Sequence, residues 1–436
     1  MKTSGWEHKL RPIRKYLYAG LVLASFIPDI GIKFSTVGFT WTFYRTVVAL
    51  CASSILLLHG RIVIEKGTLL AKWIIFQLLW MIYGGIMLFI GEYADFHNGF
   101  IELLSIFNGL VVFYCMSRFL KKEENKAWII KFTYWILNFL IIFGMIEIVS
   151  GKHWITSGYY DVNSSLYNYN NRHLATGFMY NMNDFSALIT CMTPVLLLKR
   201  FGKKRLLSLL GVFIINLRND ATTCSFAIIL FIMYYFLIIK GGKTQKATVF
   251  RVAFWIVVLT MLALVLYYRE QLTGRSDVLG AAARQIRNAK MGMGSLYHRL
   301  IMYKDAINAL VLSGMLGLGP SGFPKYFTIH KSMSGLVNPH AMIIEVLTQY
   351  GIIIAGWYAF LLIKMFRTAK SKVRINSSDE NGLVVIAFVI VYFVASFAPS
   401  SFIGYSYQWI LIAIMCSLLE NNTIIGGVDV CSILHS

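Results

Sequence analysis

The chain has 436 residues, 57% of them hydrophobic and only 14% charged, and its mean hydropathy is +0.63. This composition excludes a soluble domain, because runs of about 20 apolar residues recur and each is long enough to cross a bilayer as a helix. The runs are continuous rather than alternating, which excludes a transmembrane β-barrel. A net charge of +21 would suggest nucleic acid in a soluble protein, but no nucleic-acid motif is present and the basic residues cluster between apolar runs.

The sequence predicts an all-α, polytopic integral membrane protein with about twelve transmembrane helices. Connections rich in Lys and Arg alternate with connections such as 91–99, which holds Glu92 and Asp95 and no basic residue. Because basic loops stay in the cytoplasm, both termini are predicted to be cytoplasmic. The predicted spans are 16–32, 39–59, 71–91, 99–117, 128–149, 184–199, 206–219, 221–239, 252–268, 341–364, 382–400 and 402–419, of which 206–219 and 221–239 are close enough to form one hairpin.

The six cysteines are predicted to be small core residues. Five of them fall in apolar runs and none forms a CxxC pair. That pattern does not favour a metal site or a disulfide framework. The chain also lacks an HExxH motif, a nucleophile elbow and an acidic cluster, so we predict neither a metal nor a cofactor.

Two long polar segments are predicted on the outer side. The chain divides into a bundle over 1–268 with an outer loop at 151–183, a basic helical domain at 269–339 between spans 9 and 10, and spans 10–12 within 340–436. A structureless connection of about 70 residues would be unusual, so the second segment is expected to contain helices.

The first outer segment supplies candidate ligands near a predicted span. Arg172 lies just before that span and is a candidate for binding phosphate. Asn183 is a candidate for binding sugar, although it and Asp184 more simply cap the following helix. Tyr169 belongs to a group of tyrosines that either stack on sugar rings or form an interfacial aromatic belt.

The second outer segment carries nine basic and three acidic residues, which the orientation rule does not explain. An anionic partner such as a pyrophosphate, an acidic sugar or lipid headgroups would explain it, and so would a solvated basic face. Helices are predicted at 281–291 and 296–315. In the second helix, the apolar stripe is predicted to comprise Leu300, Tyr303, Ile307 and Leu310.

Arg299 is predicted to project on that apolar stripe, because it lies four residues before Tyr303. A guanidinium there needs a partner, and its fork of donors suits phosphate oxygens. An internal salt bridge or snorkelling to headgroups is the alternative. Tyr303 is a candidate for contact with sugar.

A glycine-rich turn follows this helix. Gly317, Gly319 and Gly322 do not form a phosphate loop, because no GxxxxGK[ST] motif or preceding strand is present. They are predicted to make a tight turn into the segment that carries Lys325 and His330.

His340 is the candidate general base. Asn338 is a favoured N-cap residue and Pro339 a favoured first helical residue, so a helix is predicted to begin here with His340 in its first turn. The positive end of the helix dipole would keep the ring neutral and able to accept a proton. The alternative is a histidine that caps or packs at the membrane interface.

The region 299–351 resembles the O-antigen ligase/polymerase-like family of bacterial membrane glycosyltransferases. The resemblance rests on Arg299, the Gly317-Leu-Gly-Pro320 turn, Asn338-Pro-His340 and Tyr350-Gly351. The segment Asn181–Asp184 is similar to the Asn-rich start of a middle span in that family. Many relatives carry a Ser-Arg pair where this chain reads Ala221-Thr-Thr-Cys-Ser225, and Arg218 is the candidate replacement for the missing arginine.

The resemblance implies glycosyl transfer from a polyprenyl-pyrophosphate-linked oligosaccharide at the outer face of the bacterial cytoplasmic membrane. Arginines would hold the pyrophosphate and a histidine would activate the acceptor hydroxyl. We expect a polymerase of repeat units for O-antigen, capsule or exopolysaccharide. A ligase that transfers the finished glycan to lipid A core is the alternative. Membrane lipids, a chain-length regulator and a flippase are the implied partners.

A transporter of lipid-linked sugars is the rival from another functional class. Transporters show internal repeats, broken helices and charges near the middle of the membrane. No repeat is evident in this sequence, and ionisable residues inside the predicted spans are few (Arg45, Glu147).

Overall fold

The computed structural model describes residues 5–28, 34–36, 39–59, 63–65, 67–153, 172–234, 287–288, 290–330, 338–420 and 427–429. Several predictions fall wholly or partly outside these residues: the end of the span 221–239, the span at 252–268, the first part of the outer domain over 269–286 with most of the helix 281–291, the sugar candidate Tyr169 and the sixth cysteine, Cys431. The described chain is dominated by helices, in agreement with the predicted class.

Eight helices make up the first part of the bundle. They are α1 Gly5–Phe26, α2 Phe43–His59, α3 Leu69–Ile90, α4 Phe96–Phe119, α5 Glu123–Ser150, α6 Met182–Met192, α7 Lys204–Arg218 and α8 Thr222–Tyr234. Helix α6 continues as a 3₁₀ turn over Thr193–Leu197, and a second 3₁₀ turn covers Lys199–Phe201.

Five helices follow in the described part of the second half: α9 Gly294–Leu312, α10 Gly322–His330, α11 Met342–Ile375, α12 Glu380–Ala395 and α13 Tyr407–Leu419. Several helix ends have the expected chemistry. The Asp95 carboxylate caps α4 by accepting from the Asn98 backbone N–H, and Gly151 ends α5 in the left-handed region with φ 63°.

The helices support a membrane protein. Four described helices are long and apolar enough to cross a bilayer: α3, α4, α5 and α11. Shorter apolar stretches occupy Phe43–Ile55, Met182–Leu197, Thr222–Tyr234, Glu380–Ala395 and Tyr407–Leu419. The count of twelve spans and the cytoplasmic termini stay predictions.

Four short strands were not predicted. Strands β1 (Phe34–Thr36) and β2 (Phe39–Trp41) pair antiparallel, as do β3 (Val63–Glu65) and β4 (Gly427–Asp429). The second pair joins the connection after α2 to the C-terminal segment. Strands of three residues lack the length for a recognisable alternating pattern, so periodicity did not indicate them.

The main core lies between the helices and is rich in aromatic side chains. Trp80 of α3 packs edge to face on Tyr350 of α11 at 5.3 Å and on Trp409 of α13 at 6.2 Å. All three rings are at least 99% buried. This aromatic contact brings α11 and α13 against α3, and therefore positions the loops at their ends relative to one another.

Helix α11 is broken at Gly351, and the glycine-rich turn fills the break. Gly351 has φ 74° and ψ −179°, so the helix is interrupted there. The turn supplies partners for the interrupted backbone: Leu318 N–H donates to Thr348 O at 2.9 Å, and Ile352 N–H donates to Met315 O at 3.1 Å. A Cβ on Gly317 would lie 2.5 Å from Gly351 N, so this close approach requires glycine. The predicted turn is present and has this additional docking role.

The buried face of α9 differs from the predicted stripe. Leu300 is 56% exposed and Ile307 52% exposed, whereas Met302, Ala306 and Ala309 are buried. Together with Leu318, Phe323, Tyr326 and Phe327 these buried residues form a second hydrophobic cluster, smaller than the main core. The predicted stripe is therefore wrong at Leu300 and Ile307, whereas Leu310 is buried and Tyr303 is partly buried.

Candidate functional site

His340 lies just before α11 rather than inside it. The helix begins at Met342 and Ala341 occupies the N-cap position without a side-chain bond, so the predicted cap at Asn338 and helical start at Pro339 are wrong. His340 has a positive φ of 47°. A non-glycine residue in this region carries backbone strain, which the surroundings must impose. Its N–H donates to Ser400 O at 3.1 Å, which holds it in place.

The structure brings Arg299, Tyr303 and His340 together. Arg299 Nη1 donates to Phe397 O at 2.9 Å, and Tyr303 Oη lies 3.4 Å from the His340 carbonyl oxygen. Both α9 side chains are partly buried. We call these three residues, with the loop 396–406 that receives them, the His340 cluster. The cluster therefore combines a cation, a hydroxyl and an imidazole at one end of the bundle, which is called the outer end because the sequence predicts it to lie outside.

The His340 ring is neutral at ordinary pH. Burial, followed by the positive charge of Arg299, lowers its pKa from 6.5 to about 4, against a smaller raising effect of a hydrogen bond to the Ala398 backbone. The predicted neutrality therefore has a different physical cause from the helix dipole. Within the described residues, His340 Nδ1 has no hydrogen-bond partner. Burial also lowers the pKa of the Arg299 guanidinium, which nonetheless stays charged.

Glu345 anchors the loop 396–406 and was missed by the sequence analysis. Its carboxylate accepts from Ser401 Oγ at 2.5 Å, from Phe402 N–H at 2.8 Å and from Ile403 N–H at 3.4 Å. Because the same loop presents its backbone oxygens to Arg299 and His340, Glu345 positions the cluster indirectly. A carboxylate within the apolar run Met342–Leu347 was the available signal, since a charge in such a run indicates a function.

Glu102 organises the glycine-rich turn in the same way. It accepts from Ser321 N–H at 3.1 Å and from Ser321 Oγ at 2.9 Å. On its other oxygen it accepts from Gln349 Nε2 at 3.1 Å and from Tyr350 Oη at 2.5 Å. Glu102 and Glu345 lie close enough to interact electrostatically. The ionisable residues inside predicted spans therefore include these two acids, since Glu102 lies in the span 99–117 and Glu345 in the span 341–364.

Arg172 and Arg218 belong to a second group, here called the Glu147 cluster. Glu147 Oε2 accepts from the backbone N–H groups of Thr176 and Gly177 at 2.9 and 2.7 Å, and its Oε1 lies 2.9 Å from His153 Nδ1. This buried carboxylate ties the end of α5 to the segment 172–181, which leads into α6.

The two arginines meet at His173. Arg172 Nε donates to His173 Nε2 at 3.0 Å, and Arg218 Nε donates to His173 O at 3.2 Å. His173 Nδ1 lies 2.8 Å from Ile148 O, so the ring donates there and accepts from Arg172. Both arginines are exposed, and their charges face the outer end together.

The segment before α6 is capped differently from the prediction. Asn181, rather than Asn183 or Asp184, is the N-cap residue, and its Oδ1 accepts from the backbone N–H groups of both. Asn183 is partly exposed. Asp184 lies inside α6 at 1% exposure, and its side chain hydrogen bonds to Tyr405 of the loop 396–406. Asp184 is thus a second anchor for that loop.

Among the described residues, no group of three or more His, Cys, Asp or Glu side chains could hold a metal ion. The five described cysteines are free and buried, as predicted. No protein-family model matches the chain, and no curated protein matches it. The functional argument therefore rests on the residues themselves.

Proposed function

We propose that this membrane protein is a glycosyltransferase that joins polyprenyl-pyrophosphate-linked oligosaccharide units into a surface polysaccharide. The observation that supports this most directly is the His340 cluster. It places an imidazole with an unpartnered nitrogen, held in a strained backbone conformation, beside a partly buried guanidinium. Strain of this kind accumulates at functional sites. The proposed location is the outer face of the bacterial cytoplasmic membrane.

The proposed reaction needs one general base and one cationic group that binds the pyrophosphate. The acceptor hydroxyl oxygen attacks the anomeric carbon of the donor, and a new glycosidic bond forms as the bond to the pyrophosphate oxygen breaks. The polyprenyl pyrophosphate leaves with the electron pair, and Arg299 stabilises its charge. The hydroxyl proton passes to His340 Nδ1, which is the acceptor nitrogen if the other ring nitrogen donates to Ala398.

Donor binding would strengthen the base. The positive charge of Arg299 is one of the two causes that keep the His340 pKa near 4. A bound pyrophosphate would neutralise that charge locally and raise the pKa of the ring toward neutrality. A general base is most efficient when its pKa is near the working pH, so this coupling would activate His340 only when the donor is in place.

The Glu147 cluster is proposed to supply further positive charge for the donor. Arg172 and Arg218 are both exposed at the outer end, and each contacts His173 through Nε. Tyr303, which reaches the His340 backbone, and the partly exposed Asn183 remain the proposed sugar contacts within the described residues. Membrane lipids, a chain-length regulator and a flippase are the proposed partners.

A transporter of lipid-linked sugars is the second candidate, and the broken helix α11 favours it. Transporters bind substrates at such breaks. In this protein, however, the turn at Gly317 and Gly319 fills the break and satisfies its backbone groups, as shown by Gly319 N–H donating to Gln349 O at 2.9 Å. The break is therefore occupied by the protein's own chain, which favours transferase chemistry over a substrate passage.

Reconstitution separates these functions. Purified protein in liposomes would be given a polyprenyl-pyrophosphate-linked oligosaccharide, and the products would be resolved by gel. We expect a ladder of lengths from the wild-type protein and none from protein-free liposomes. A single addition to lipid A core, without a ladder, would indicate a ligase. Movement of the intact donor across the bilayer without new glycosidic bonds would contradict the proposal and indicate a transporter.

A further inference from the structure

A polar cavity lies at the outer end of the bundle, beside the loop 396–406 of the His340 cluster but not lined by Arg299, Tyr303 or His340. Its volume is about 290 Å³, and it is bounded by Pro28 just after α1, the first turn of α2, Ser105 and Asn108 of α4, Met179 and the segment 404–409. Pockets for small organic ligands have volumes of roughly 300–1,000 Å³, so this cavity suits a small ligand. Arg45, one of the two ionisable residues that the sequence analysis placed inside spans, lines it.

Two tyrosine hydroxyls in the cavity wall have unused hydrogen-bonding capacity. Tyr44 is 7% exposed and Tyr407 is 0% exposed, and neither hydroxyl has a hydrogen-bond partner within the described residues. Leaving a buried hydroxyl unpaired costs about 1–3 kcal/mol, so a water molecule or a polar group of a ligand in the cavity would be stabilised by bonding to it. Two of them on one cavity suit a ligand with several hydroxyl or amide groups.

The chemistry of the lining identifies the class of ligand. Asn108, Ser105 and Thr42 add uncharged donors and acceptors, while Trp409 and Tyr405 add flat aromatic surface. A lipid tail would leave the polar groups unpaired. A phosphate site would need several cations or N–H groups, whereas Arg45 is the one cation in this lining and already has other interactions. Aromatic faces combined with neutral hydrogen-bonding groups suit an uncharged sugar ring.

We propose that this cavity is a subsite for a single uncharged sugar residue, which would belong to the acceptor glycan. The acceptor assignment rests on the proposed function, but the sugar site itself does not. One segment links the cavity to the candidate active site, because Tyr405 lines the cavity while Phe397 and Ser400 of the same loop contact Arg299 and His340. A sugar held in the cavity would therefore lie on the loop that frames the reacting groups.

Sugar binding to the purified protein tests the subsite without requiring catalysis. The probes are methyl glycosides of glucose, galactose and N-acetylglucosamine at millimolar concentration, with saturation-transfer NMR and titration of intrinsic fluorescence as readouts. We expect saturable binding of at least one probe. Tyr407→Phe and Asn108→Ala should weaken that binding by about tenfold each, as expected for the loss of one hydrogen bond in a buried site. His340→Ala should bind as the wild type does.

The matched control is Tyr234→Phe. Tyr234 is also a buried tyrosine without a hydroxyl partner among the described residues, and it does not line the cavity. Its substitution should leave sugar binding unchanged. Because Tyr407→Phe removes an unpaired hydroxyl, its melting temperature should equal or exceed that of the wild type, so weaker binding cannot be attributed to unfolding.

Three results would overturn the proposal: no saturable binding of any probe, equal binding by Tyr407→Phe and the wild type, or equal weakening by Tyr234→Phe. If the proposed function is wrong and the sugar site is right, the wild-type protein will bind the probe but form no polymer. Binding that depends on Tyr407 without any polymer would keep the sugar site and remove only its assignment to the acceptor.

Discussion

The His340 cluster and the Glu147 cluster contain the same residue types at the same end of the bundle but use them differently. In the Glu147 cluster, the histidine nitrogens and the carboxylate oxygens are occupied by neighbouring chain segments: His173 contacts Ile148 O and Arg172, and Glu147 contacts the backbone of Thr176 and Gly177. These bonds fasten the segment 172–181 to α5. The cluster is therefore primarily an anchor, with its arginine charges presented outward.

The His340 cluster leaves a functional nitrogen unused. His340 Nδ1 has no partner within the described residues, and the backbone at this residue is strained at φ 47°. Here the anchoring is performed by residues behind the cluster, chiefly Glu345 through the backbone of Phe402. The difference teaches that the buried carboxylates hold the fold, while the imidazole that Glu345 positions keeps one nitrogen without a hydrogen-bond partner among the described residues.

The arginines of the two clusters should differ in their effect on the rate. Arg299→Lys should lower the rate of polymer formation by about 10²–10³-fold, because a point charge cannot reproduce the guanidinium fork on a leaving pyrophosphate. Arg218→Lys should cost about tenfold, through weaker donor binding. Initial rates in liposomes at several donor concentrations would be measured. Lys304→Ala, an exposed position on α9, is the control and should leave the rate unchanged.

Two outcomes would revise this comparison. Full activity of Arg299→Lys would remove Arg299 from the pyrophosphate site. An equal loss in Arg218→Lys would mean that both clusters contact the donor during transfer.

Substitutions of His340 and His173 should separate an effect on catalysis from an effect on stability. His340→Gln should lower the rate by about 10²–10⁴-fold, the usual contribution of a positioned base, while the melting temperature stays near that of the wild type. His173→Gln should instead lower stability by about 0.5–1.5 kcal/mol, because the partly buried bond to Ile148 O is disrupted. Turnover per folded molecule and thermal unfolding in nanodiscs would be compared. Near wild-type turnover of His340→Gln would exclude His340 as the base.

The sequence predicted the helices well where long apolar runs decide them. A span predicted at 71–91 is helical over Leu69–Ile90, and one predicted at 128–149 is helical over Glu123–Ser150. The predicted buried face of α9 is wrong at two positions, because Leu300 and Ile307 lie on the exposed surface although they are apolar. Hydrophobic periodicity identifies a buried face only when the opposite face meets water.

The sequence analysis named the residues that meet in the His340 cluster but not the carboxylates that position them. Arg299, Tyr303 and His340 were all singled out, and they do lie together. The contact of Glu345 with Phe402 spans 57 positions, and that of Glu102 with Tyr350 spans 248. Contacts so distant in the chain leave no local pattern, so these acids could be noticed only as charges inside apolar runs.

The two buried carboxylates should have similar effects on stability and different effects on activity. Glu345→Gln and Glu147→Gln each replace an acceptor oxygen by an amide N–H that faces existing donors, so each should lower stability by about 1–3 kcal/mol. Only Glu345→Gln should also lower kcat, by about tenfold, because it displaces the loop that frames His340. Unfolding in nanodiscs and kcat at saturating donor would be measured. An unchanged kcat in Glu345→Gln would show that the loop does not position the reacting groups.

The smallest expected effect lies in the pH dependence, because His340 is already neutral at pH 7. The profile of kcat/KM reports the free enzyme, so it should fall only as the pH drops toward 4, where the ring becomes protonated. The profile of kcat reports the enzyme with donor bound, and its midpoint should lie at higher pH, since a pyrophosphate beside Arg299 raises the pKa of the ring.

The free energy of unfolding should also depend on the protonation of His340. The unfolded histidine binds a proton near pH 6.5 and the folded one near 4, so the folded state should lose stability as the pH falls through that window. His340→Gln should remove that loss and the difference between the two kinetic midpoints. Equal midpoints for kcat and kcat/KM in the wild type would mean that the donor charge does not reach His340, and the coupling between the cation and the base would have to be abandoned.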